Sequence, residues 1–260
     1  MLALIAGRGD LPAVLANARQ VLVCALDHSL PDKVDPDHLF RVERLGPFLK
    51  WLKKQGVTQI CLCGGIDRPQ ISPWKMDFST LMLLPKVRRA QKRGDDGALR
   101  IVIGIFEQAG FEVLAAHEVL PDLLPKTGVP TMVGPSEESE RLAQIGDETS
   151  LVQGREDLGQ SCVIQRNAKV VREDDAGTDA MLAGLGPDAR SGVMYKAPKP
   201  GQDRRADLPV IGPGTAEGAA RAGLAGIIIE ANGVMVLNYD ETLRRLDAEG
   251  LFLWLRERPE

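Results

Sequence analysis

The sequence predicts an α/β protein with two domains, a doubly wound parallel sheet first and a different α/β domain after it. Short apolar runs alternate with amphipathic stretches over the first 120 residues, as they do where helices join parallel strands. Four prolines within residues 120–135 then break this alternation, and shorter apolar segments follow. We therefore divide the chain into a first domain, residues 1–120, a linker, 121–135, and a second domain, 136–260.

In the first domain, apolar runs predict strands and apolar positions at helical spacing predict helices. The run LALIA ends at Gly7, and the run VTQICLCGG ends in two glycines. Gly56 is a natural stop for the helix that precedes it. The predicted strands cover 2–6, 21–26, 57–65 and 111–116, and the predicted helices cover 11–19, 46–56, about 79–93 and 96–109.

The second domain begins with a polar helix that Ser136 caps, with Glu137 and Glu138 in its first turn. Residues 161–173 predict a hairpin whose turn lies at Arg166-Asn167. The remaining predicted elements are a helix at 178–185, a strand at 192–196, a helix capped by Thr215 and ending at Gly223, strands at 226–230 and 234–237, and a helix from Asp240.

Composition excludes several classes of protein. Only 4% of the residues are aromatic and the net charge is −4, so the stacking platform and basic surface of a nucleic-acid-binding protein are missing. The four cysteines, three of them inside strand-like runs, are predicted to be buried and reduced, as in cytosolic proteins. No run approaches the ~18 apolar residues of a membrane span. We expect a soluble protein that can still touch a membrane surface.

Two glycine-rich turns follow predicted strands in the first domain. They contain Gly7, Gly9 and Asp10 after the first strand, and Gly64, Gly65 and Arg68 after the strand at 57–65. Backbone amides at such turns can contact a phosphate, and open α/β sheets bind ligands at strand carboxyl ends. The alternative is a pair of tight turns without a ligand. A nicotinamide dinucleotide is a weak fit, because Pro12 occupies the third glycine position and only Asp27 is a loose candidate for the ribose.

Asp95 and Asp96 lie at the start of the predicted helix at 96–109. Both suit the start of a helix, and both could instead contact a ligand or metal, two roles that are compatible. The preceding predicted helix, at about 79–93, is apolar in its first half and basic in its second half. This pattern is typical of a core helix with a solvated face, with contact to acyl chains and anionic headgroups as the alternative.

An acidic turn, EDDAGTDAML at residues 173–182, is a further candidate region. Three aspartates, the last of them Asp179, surround Gly177 and Thr178 there. Backbone amides and a hydroxyl at a helix start can contact a phosphate, and nearby carboxylates can hold a divalent metal. The alternative is an acidic, capped turn without a ligand.

The segment YKAPKPGQDRRADLPVIGP, residues 195–213, carries four cations and two carboxylates on a proline-stiffened backbone. Lys196 ends a predicted strand and Lys199 follows within a turn, so both ammonium groups can contact phosphate. Asp203 and Asp207 are oxygen ligands of the kind that Mg²⁺ accepts alongside substrate phosphates. The segment therefore predicts a site for an Mg²⁺-bridged phosphoanhydride. A solvated charged loop is the alternative.

In their order and spacing, these motifs resemble the UDP-2,3-diacylglucosamine pyrophosphatases of lipid A biosynthesis, in the family unrelated to the calcineurin-like phosphoesterases. The resemblance covers nearly the whole chain and is carried by LIAGRGDLP, GGIDRP, RGDDGALR, FEQAGFEV, AHEVL, DLGQS, GTDAML, KAPKPGQDRRADLP and AGLAGI. It implies a Rossmann-like N-terminal domain and a family-specific C-terminal domain. It also implies Mg²⁺-dependent hydrolysis to UMP and 2,3-diacylglucosamine 1-phosphate, with water directed at the phosphorus on the sugar side.

The resemblance and the residue patterns described above together assign roles to individual residues. Asp207, in the D-L-P triplet, is the first expected metal-binding or catalytic carboxylate, Lys196 and Asp179 are expected to be catalytic, and Asp203 is the second predicted metal ligand. Substrate contacts are expected from Gly7, Gly9, Asp10, Gly64, Gly65, Arg68, Asp95, Asp96, Gln160, Thr178, Lys199, Gln202 and Arg204.

Two positions depart from the family's pattern. Ala176 stands where the family usually places a glutamate before Gly-Thr-Asp, and Arg172-Glu173 end a strand where smaller or apolar residues are expected. The expected partners are a nucleotide-linked glycolipid and the cytoplasmic face of the inner membrane, with a homodimer as one compatible assembly. Two rival functions remain, a binding protein that holds such a lipid without turnover and, more weakly supported, a nicotinamide-dependent oxidoreductase.

Overall fold

The computed structural model describes residues 1–67, 72, 74, 76–77, 80, 82, 95–156, 158–205 and 208–258, with the backbone alone for Asp95 and Asp96. The chain divides into two compact units. The first contains Met1–Pro121 and Asp203–Asp207, and the second contains Asp122–Gln202 and Leu208–Glu260. Each unit has its own sheet and its own buried core.

The first unit is a parallel sheet with helices between its strands. The strands are β1 Leu2–Ala6, β2 Leu22–Leu26, β3 His38–Phe40, β4 Gln59–Cys63 and β5 Glu112–Leu114, and the described helices are α1 Leu11–Ala18, α2 Leu45–Lys54, α3 Asp95–Gln108 and α4 Ala116–Val119. Short 3₁₀ turns cover Val42–Arg44 and Pro121–Leu123. The strand order is β3-β2-β1-β4-β5, and every pair is parallel. This confirms the predicted doubly wound sheet.

The order of the strands identifies where a ligand would bind in the first unit. All five residues of β1 are buried, as expected for a central strand of a parallel sheet covered on both faces. The chain moves from β1 toward β2 and β3 on one side and then returns to place β4 on the other side of β1. The carboxyl ends of β1 and β4 therefore flank the topological switch point, where open α/β sheets bind ligands.

The second unit has a mixed sheet. Its helices are α5 Glu137–Arg155, α6 Gly177–Ala183, α7 Pro213–Arg221 and α8 Tyr239–Ala248, and its strands are β6 Ser161–Ile164, β7 Val170–Arg172, β8 Val193–Lys196, β9 Val210–Ile211, β10 Gly226–Glu230, β11 Met235–Val236 and β12 Phe252–Arg256. A 3₁₀ turn covers Pro187–Ala189. The strand order in this sheet is β12-β10-β8-β6-β7. Strands β8, β10 and β12 are parallel to one another, whereas β6 is antiparallel to both of its neighbours. β9 and β11 form a small parallel pair.

Helix α5 covers the sheet of the second unit at close range. The Ser136 hydroxyl accepts a hydrogen bond from the Ser139 N–H, which confirms the predicted cap. A Cβ added at Gly146 would lie 2.4 Å from a ring carbon of Tyr195 in β8. The Tyr195 hydroxyl donates to Asp147, and the Arg256 guanidinium of β12 donates to both oxygens of the same carboxylate. This network fixes the helix against two strands.

Several details differ from the sequence-based expectations. The helix predicted to be capped by Thr215 begins earlier, at Pro213, and the Thr215 hydroxyl lies inside it and accepts from the Gly212 N–H at 3.3 Å. Helix α3 begins at Asp95, so that residue and Asp96 belong to the first turn. The helix predicted at about 79–93 lies outside the described residues, apart from two isolated positions.

Two further structural findings concern the cysteines and the membrane. All four cysteines are buried and free, as predicted, and burial raises the pKa of Cys162 to about 12. Within the described part of the chain, no helix is both long enough and apolar enough to cross a bilayer.

Candidate active site

The candidate site of the second unit lies at one edge of its mixed sheet. The parallel strands β8, β10 and β12 end at Lys196, Glu230 and Arg256, so these three residues share that edge. Lys196 is only 7% exposed. A buried ammonium group requires hydrogen bonds and compensating charge from its neighbours. We therefore describe the candidate site from the residues that surround Lys196.

Lys196 is held by a hydroxyl from the acidic turn. Its Nζ donates to Thr178 Oγ1 at 2.9 Å, and Thr178 lies in the first turn of α6. The Ser161 hydroxyl, at the start of β6, lies 3.0 Å from the same oxygen. Ser161 is paired with Lys196 in the sheet register, so backbone pairing and side-chain contacts join the same residues.

Glu173 completes this group, which we call the Lys196 cluster: Lys196, Thr178, Ser161 and Glu173. One carboxylate oxygen of Glu173 accepts from the Thr178 hydroxyl at 2.8 Å. The other accepts from the backbone N–H groups of Gln160 and Ser161, at 2.7 and 2.8 Å. Glu173, where the resemblance predicted a smaller or apolar residue, therefore lies at the centre of a hydrogen-bond network.

A second set of contacts brings Gln160 to the charged segment. The Gln160 side-chain amide donates to Gln202 Oε1 at 2.9 Å, and the Lys199 backbone N–H donates to the same oxygen at 3.0 Å. Gln160, Thr178, Lys196, Lys199 and Gln202 were all predicted as site residues, and the structure connects them through these two sets of contacts. Asp179, also predicted, has an exposed side chain one residue beyond Thr178.

In the first unit, the two predicted glycine turns contact each other. Arg8 and Gly65 form an antiparallel bridge, in which each backbone nitrogen lies 2.7 or 2.9 Å from the carbonyl oxygen of the other residue. A Cβ at Gly7 would lie 2.3 Å from the Gly65 carbonyl oxygen, and one at Gly64 would lie 2.6 Å from the Arg8 carbonyl oxygen. Gly64 also has a φ of +83°. These glycines are therefore required by the close approach of two backbones at the switch point.

Side chains of the first unit surround these turns. The Gly9 N–H donates to an Asp32 carboxylate oxygen at 2.7 Å, Asp10 pairs with Lys33 at 2.7 Å, and Arg8 pairs with Asp67 at 2.6 Å. The Asp32 carboxylate thus accepts the hydrogen bond of the backbone N–H that would contact a phosphate in a dinucleotide-binding turn. This observation weighs against the nicotinamide alternative.

Asp203 lies in the part of the charged segment that belongs to the first unit. Its two oxygens accept from the Arg205 guanidinium at 3.0 and 2.8 Å, and the Arg205 backbone N–H donates to it at 3.1 Å. These hydrogen bonds to Arg205 lower the pKa of Asp203 below its ordinary value. Arg205 also donates to Glu107 at 2.6 Å, and the two carboxylates raise its pKa further, Asp203 having the larger effect.

The contacts of Asp203 weigh against the predicted metal site at this residue. A carboxylate whose two oxygens contact one guanidinium has little capacity left for Mg²⁺, and the nearby positive charge opposes a second cation. No group of three or more His, Cys, Asp or Glu side chains in the described ranges could hold a metal ion. Asp207, the other predicted ligand, lies outside the described residues.

Not every predicted residue can be placed. Arg68 and Asp207 lie outside the described residues, and the side chains of Asp95 and Asp96 are not described. Arg204 is described and exposed. Glu173 and Ser161 were not among the predicted site residues. The register of the hairpin could have indicated Glu173. Cys162 pairs with Arg172, so the next residues along the two strands, Ser161 and Glu173, lie opposite each other.

Together, the doubly wound unit and the mixed-sheet unit, which holds the buried Lys196 at a strand-end edge, define a two-unit α/β protein. A family model described as the LpxI N-terminal domain matches residues 1–123, and one described as the LpxI C-terminal domain matches residues 126–254. The chain belongs to the LpxI family. It is 36% identical, over 97% of its length and 96% of the relative's, to the UDP-2,3-diacylglucosamine pyrophosphatase LpxI of Caulobacter vibrioides.

Proposed function

We propose that this protein is a hydrolase that cleaves the diphosphate of UDP-2,3-diacylglucosamine, giving UMP and 2,3-diacylglucosamine 1-phosphate in lipid A biosynthesis. The relative from Caulobacter vibrioides, matched over nearly the full length of both chains, is a UDP-2,3-diacylglucosamine pyrophosphatase. The structural observation that supports this proposal best is the buried Lys196 ammonium at a strand-end edge, hydrogen-bonded to the Thr178 hydroxyl.

The proposed reaction is a displacement at phosphorus. An oxygen–phosphorus bond forms from water to the phosphorus on the sugar side, and the bond from that phosphorus to the bridging oxygen breaks, so UMP leaves. Negative charge on the phosphoryl oxygens and on the leaving group is offset by Lys196, with Lys199 as a second cation in the same unit. A fixed charge in a site shielded from water stabilises such a transition state without reorganising solvent.

We further propose that hydrolysis depends on Mg²⁺. When bound, the metal supplies charge neutralisation and polarisation of the phosphoryl oxygens. The residue that we expect to hold it is Asp207, alongside oxygens of the substrate's diphosphate. Asp203 is not expected to contribute while its carboxylate is paired with Arg205.

The cellular setting belongs to the same proposal. A lipid-linked substrate requires access to a membrane, and the second unit exposes Val129, Met132 and Val133 on one short segment, with Met132 88% exposed. We propose that this apolar segment, Val129–Val133, contacts the cytoplasmic face of the inner membrane. Reduced cysteines support the cytoplasmic assignment. A homodimer is the assembly we propose, and light scattering at several concentrations tests it.

The experiment is mass spectrometry of UDP-2,3-diacylglucosamine incubated with the pure protein. Reactions are run with Mg²⁺ and with EDTA, for the parent, for Asp207→Asn, and for Asp188→Asn, a matched control at an exposed aspartate. We expect UMP and 2,3-diacylglucosamine 1-phosphate from the parent and the control, no product with EDTA, and a large loss in Asp207→Asn. In ¹⁸O water, the label should enter the 1-phosphate and leave UMP unlabelled.

Each outcome has a defined meaning. Substrate that stays intact with the folded parent, across several acyl lengths and divalent metals, contradicts the hydrolase function. Tight binding without product would instead indicate a lipid-binding protein. Product formed at an undiminished rate in EDTA contradicts the metal proposal alone, and ¹⁸O found in UMP moves the attack to the other phosphorus.

A further inference from the structure

We infer that Glu173 is a positioning residue that sets the direction of the Thr178 hydroxyl and, through it, the placement of the Lys196 ammonium. The inference rests on the proposed hydrolase function and assigns a role to a residue that is not among the predicted site residues. It is carried by the hydrogen-bond pattern of the Lys196 cluster.

The donors and acceptors of the cluster leave one consistent arrangement. An ionised carboxylate only accepts hydrogen bonds, and an ammonium only donates them. Glu173 therefore accepts the single hydrogen of the Thr178 hydroxyl. Lys196 donates to the same hydroxyl oxygen. With its hydrogen committed to Glu173, Thr178 also accepts from the Ser161 hydroxyl, so its lone pairs face Lys196 and Ser161.

The backbone around Glu173 holds the carboxylate in place. Its second oxygen accepts the N–H groups of Gln160 and Ser161, so the side chain is tied to the start of β6. Gly159 precedes these residues with a φ of +64°, and a Cβ there would lie 2.9 Å from three atoms of the Glu173 side chain. The turn thus requires glycine both for its conformation and for the approach of this carboxylate.

The sheet register connects this anchor to the lysine. Ser161 of β6 pairs with Lys196 on one side, and its neighbour Cys162 pairs with Arg172 on the other. Strand β6 therefore lies between Glu173 and Lys196, and the Thr178 hydroxyl is hydrogen-bonded to both side chains. Since a misplacement of about 1 Å can cost about 100-fold in rate, an ammonium held through this bridge would depend on the carboxylate that orients it.

A mutant cycle tests this inference. In Glu173→Gln, the amide oxygen can still serve the two backbone N–H groups, but the amide N–H₂ then faces Thr178 and turns the hydroxyl hydrogen away. We expect kcat to fall roughly 10- to 100-fold, with KM changing little. Thr178→Val should cause a similar loss, and Thr178→Ser should retain most of the activity.

The double variant gives the decisive comparison. If Glu173 acts through Thr178, then Glu173→Gln combined with Thr178→Val should be no slower than Thr178→Val alone. Glu156→Gln is the matched control, because that glutamate forms a surface ion pair with Arg172 at 3.3 Å. Its kcat should equal that of the parent.

The inference is overturned if the losses of the two single variants multiply in the double variant. It is also overturned if Glu173→Gln keeps the parent's kcat, or if its loss equals the fraction of unfolded protein measured by circular dichroism. A parent that does not hydrolyse the substrate overturns the proposed function itself, whereas an active parent with independent variants overturns only the role of Glu173.

Discussion

Lys196 combines a charge with almost complete burial, and this combination has consequences for both stability and rate. Removing an ammonium from water costs free energy that its hydrogen bonds and charged neighbours must compensate. The chain therefore retains at this position a group that an apolar side chain of similar length could replace without loss of packing. Such sites are common where a residue serves activity at the expense of stability.

We predict that Lys196→Met lowers kcat by about 10²- to 10³-fold, because it removes charge that stabilises the transition state. The melting temperature should change by only a few degrees, since methionine fills a similar volume and removes the cost of a buried charge. Activity assays and thermal unfolding test both parts. Lys169→Met, at an exposed lysine in the hairpin turn, is the control and should change neither quantity. Full activity in Lys196→Met would remove this lysine from the mechanism.

Asp203 predicts a pH dependence of stability. Because hydrogen bonds to Arg205 lower its folded-state pKa, its contribution is present above the ordinary aspartate pKa, about 3.9, and is lost as the pH falls through the lower folded value. Asp203→Asn should therefore reduce the free energy of unfolding at pH 7 by about 1–2 kcal/mol. The difference from the parent should shrink below about pH 4.

Denaturant unfolding at a series of pH values measures this difference. Asp188→Asn, at an exposed aspartate, should show no comparable dependence. A gap between Asp203→Asn and the parent that stays constant down to pH 2 would show that the carboxylate's charge is not what stabilises the segment.

Among individual residues, the sequence predicts a site residue where a reactive side chain lies at the end of a recognisable strand or the start of a recognisable helix. Lys196 could be predicted because it ends an apolar run and opens a charged segment, and Thr178 because it follows glycine at a helix start. Glu173 was missed because its role depends on which residue lies opposite it. The predicted turn at Arg166-Asn167 is confirmed, because the Ala168 N–H donates to the Gln165 carbonyl oxygen across those two residues at 2.9 Å. The register that pairs Ile164 with Val170 also depends on Ala168, whose φ is +65°, and a shift of one residue would change every cross-strand partner.

At the scale of elements, α5 shows how one missing side chain allows a helix to approach a sheet. A methyl group at Gly146 would overlap the ring of Tyr195. Gly146→Ala should therefore destabilise the second unit by about 1–3 kcal/mol, despite alanine's higher helix propensity. Gly104→Ala in α3 is the matched control, because no described atom lies within 4 Å of the added Cβ, and it should stabilise the first unit by up to about 1 kcal/mol.

Denaturant unfolding of the two glycine variants distinguishes packing from propensity. If both alanines stabilise the protein equally, the close packing of α5 on Tyr195 is not required. If both destabilise it equally, a property that the two helices share, rather than contact with the sheet, would account for the effect.

Two of the strands that the sequence did not predict are too short to show a pattern. β3 and β9 have three and two residues, too few for a period of two to be recognised. β12 is longer, but its apolar and charged residues follow a helix directly. It is a strand because it pairs with β10 through five parallel partners, and such long-range pairing leaves no local pattern. The long apolar runs β1, β4 and β10 were predicted because burial on both faces determines their composition.

At the scale of the whole molecule, net charge limits how the protein can bind a membrane. With a charge of −4, general attraction to anionic lipid is absent, so we expect binding through apolar contact at the segment Val129–Val133. Met132→Glu should weaken binding to lipid vesicles by about tenfold or more, since burying such a side chain contributes roughly 1.5–3 kcal/mol.

Vesicle flotation at low and high ionic strength tests this expectation. Leu30→Glu, at an exposed apolar residue of the first unit, is the control and should leave binding unchanged. Binding that disappears in salt, or that survives in Met132→Glu, would assign membrane contact to a different surface.

The division of the chain also affects how the protein is made on the ribosome. Domains generally fold as units, the N-terminal one first, while synthesis continues. Here the first unit includes Asp203–Asp207, and Arg205 of that segment pairs with Glu107 at the end of α3. These residues are synthesised only after Lys196 and the strands β6, β7 and β8 of the second unit. The N-terminal unit therefore cannot be completed as it emerges, and a nascent chain paused before residue 203 would leave that unit without its final segment.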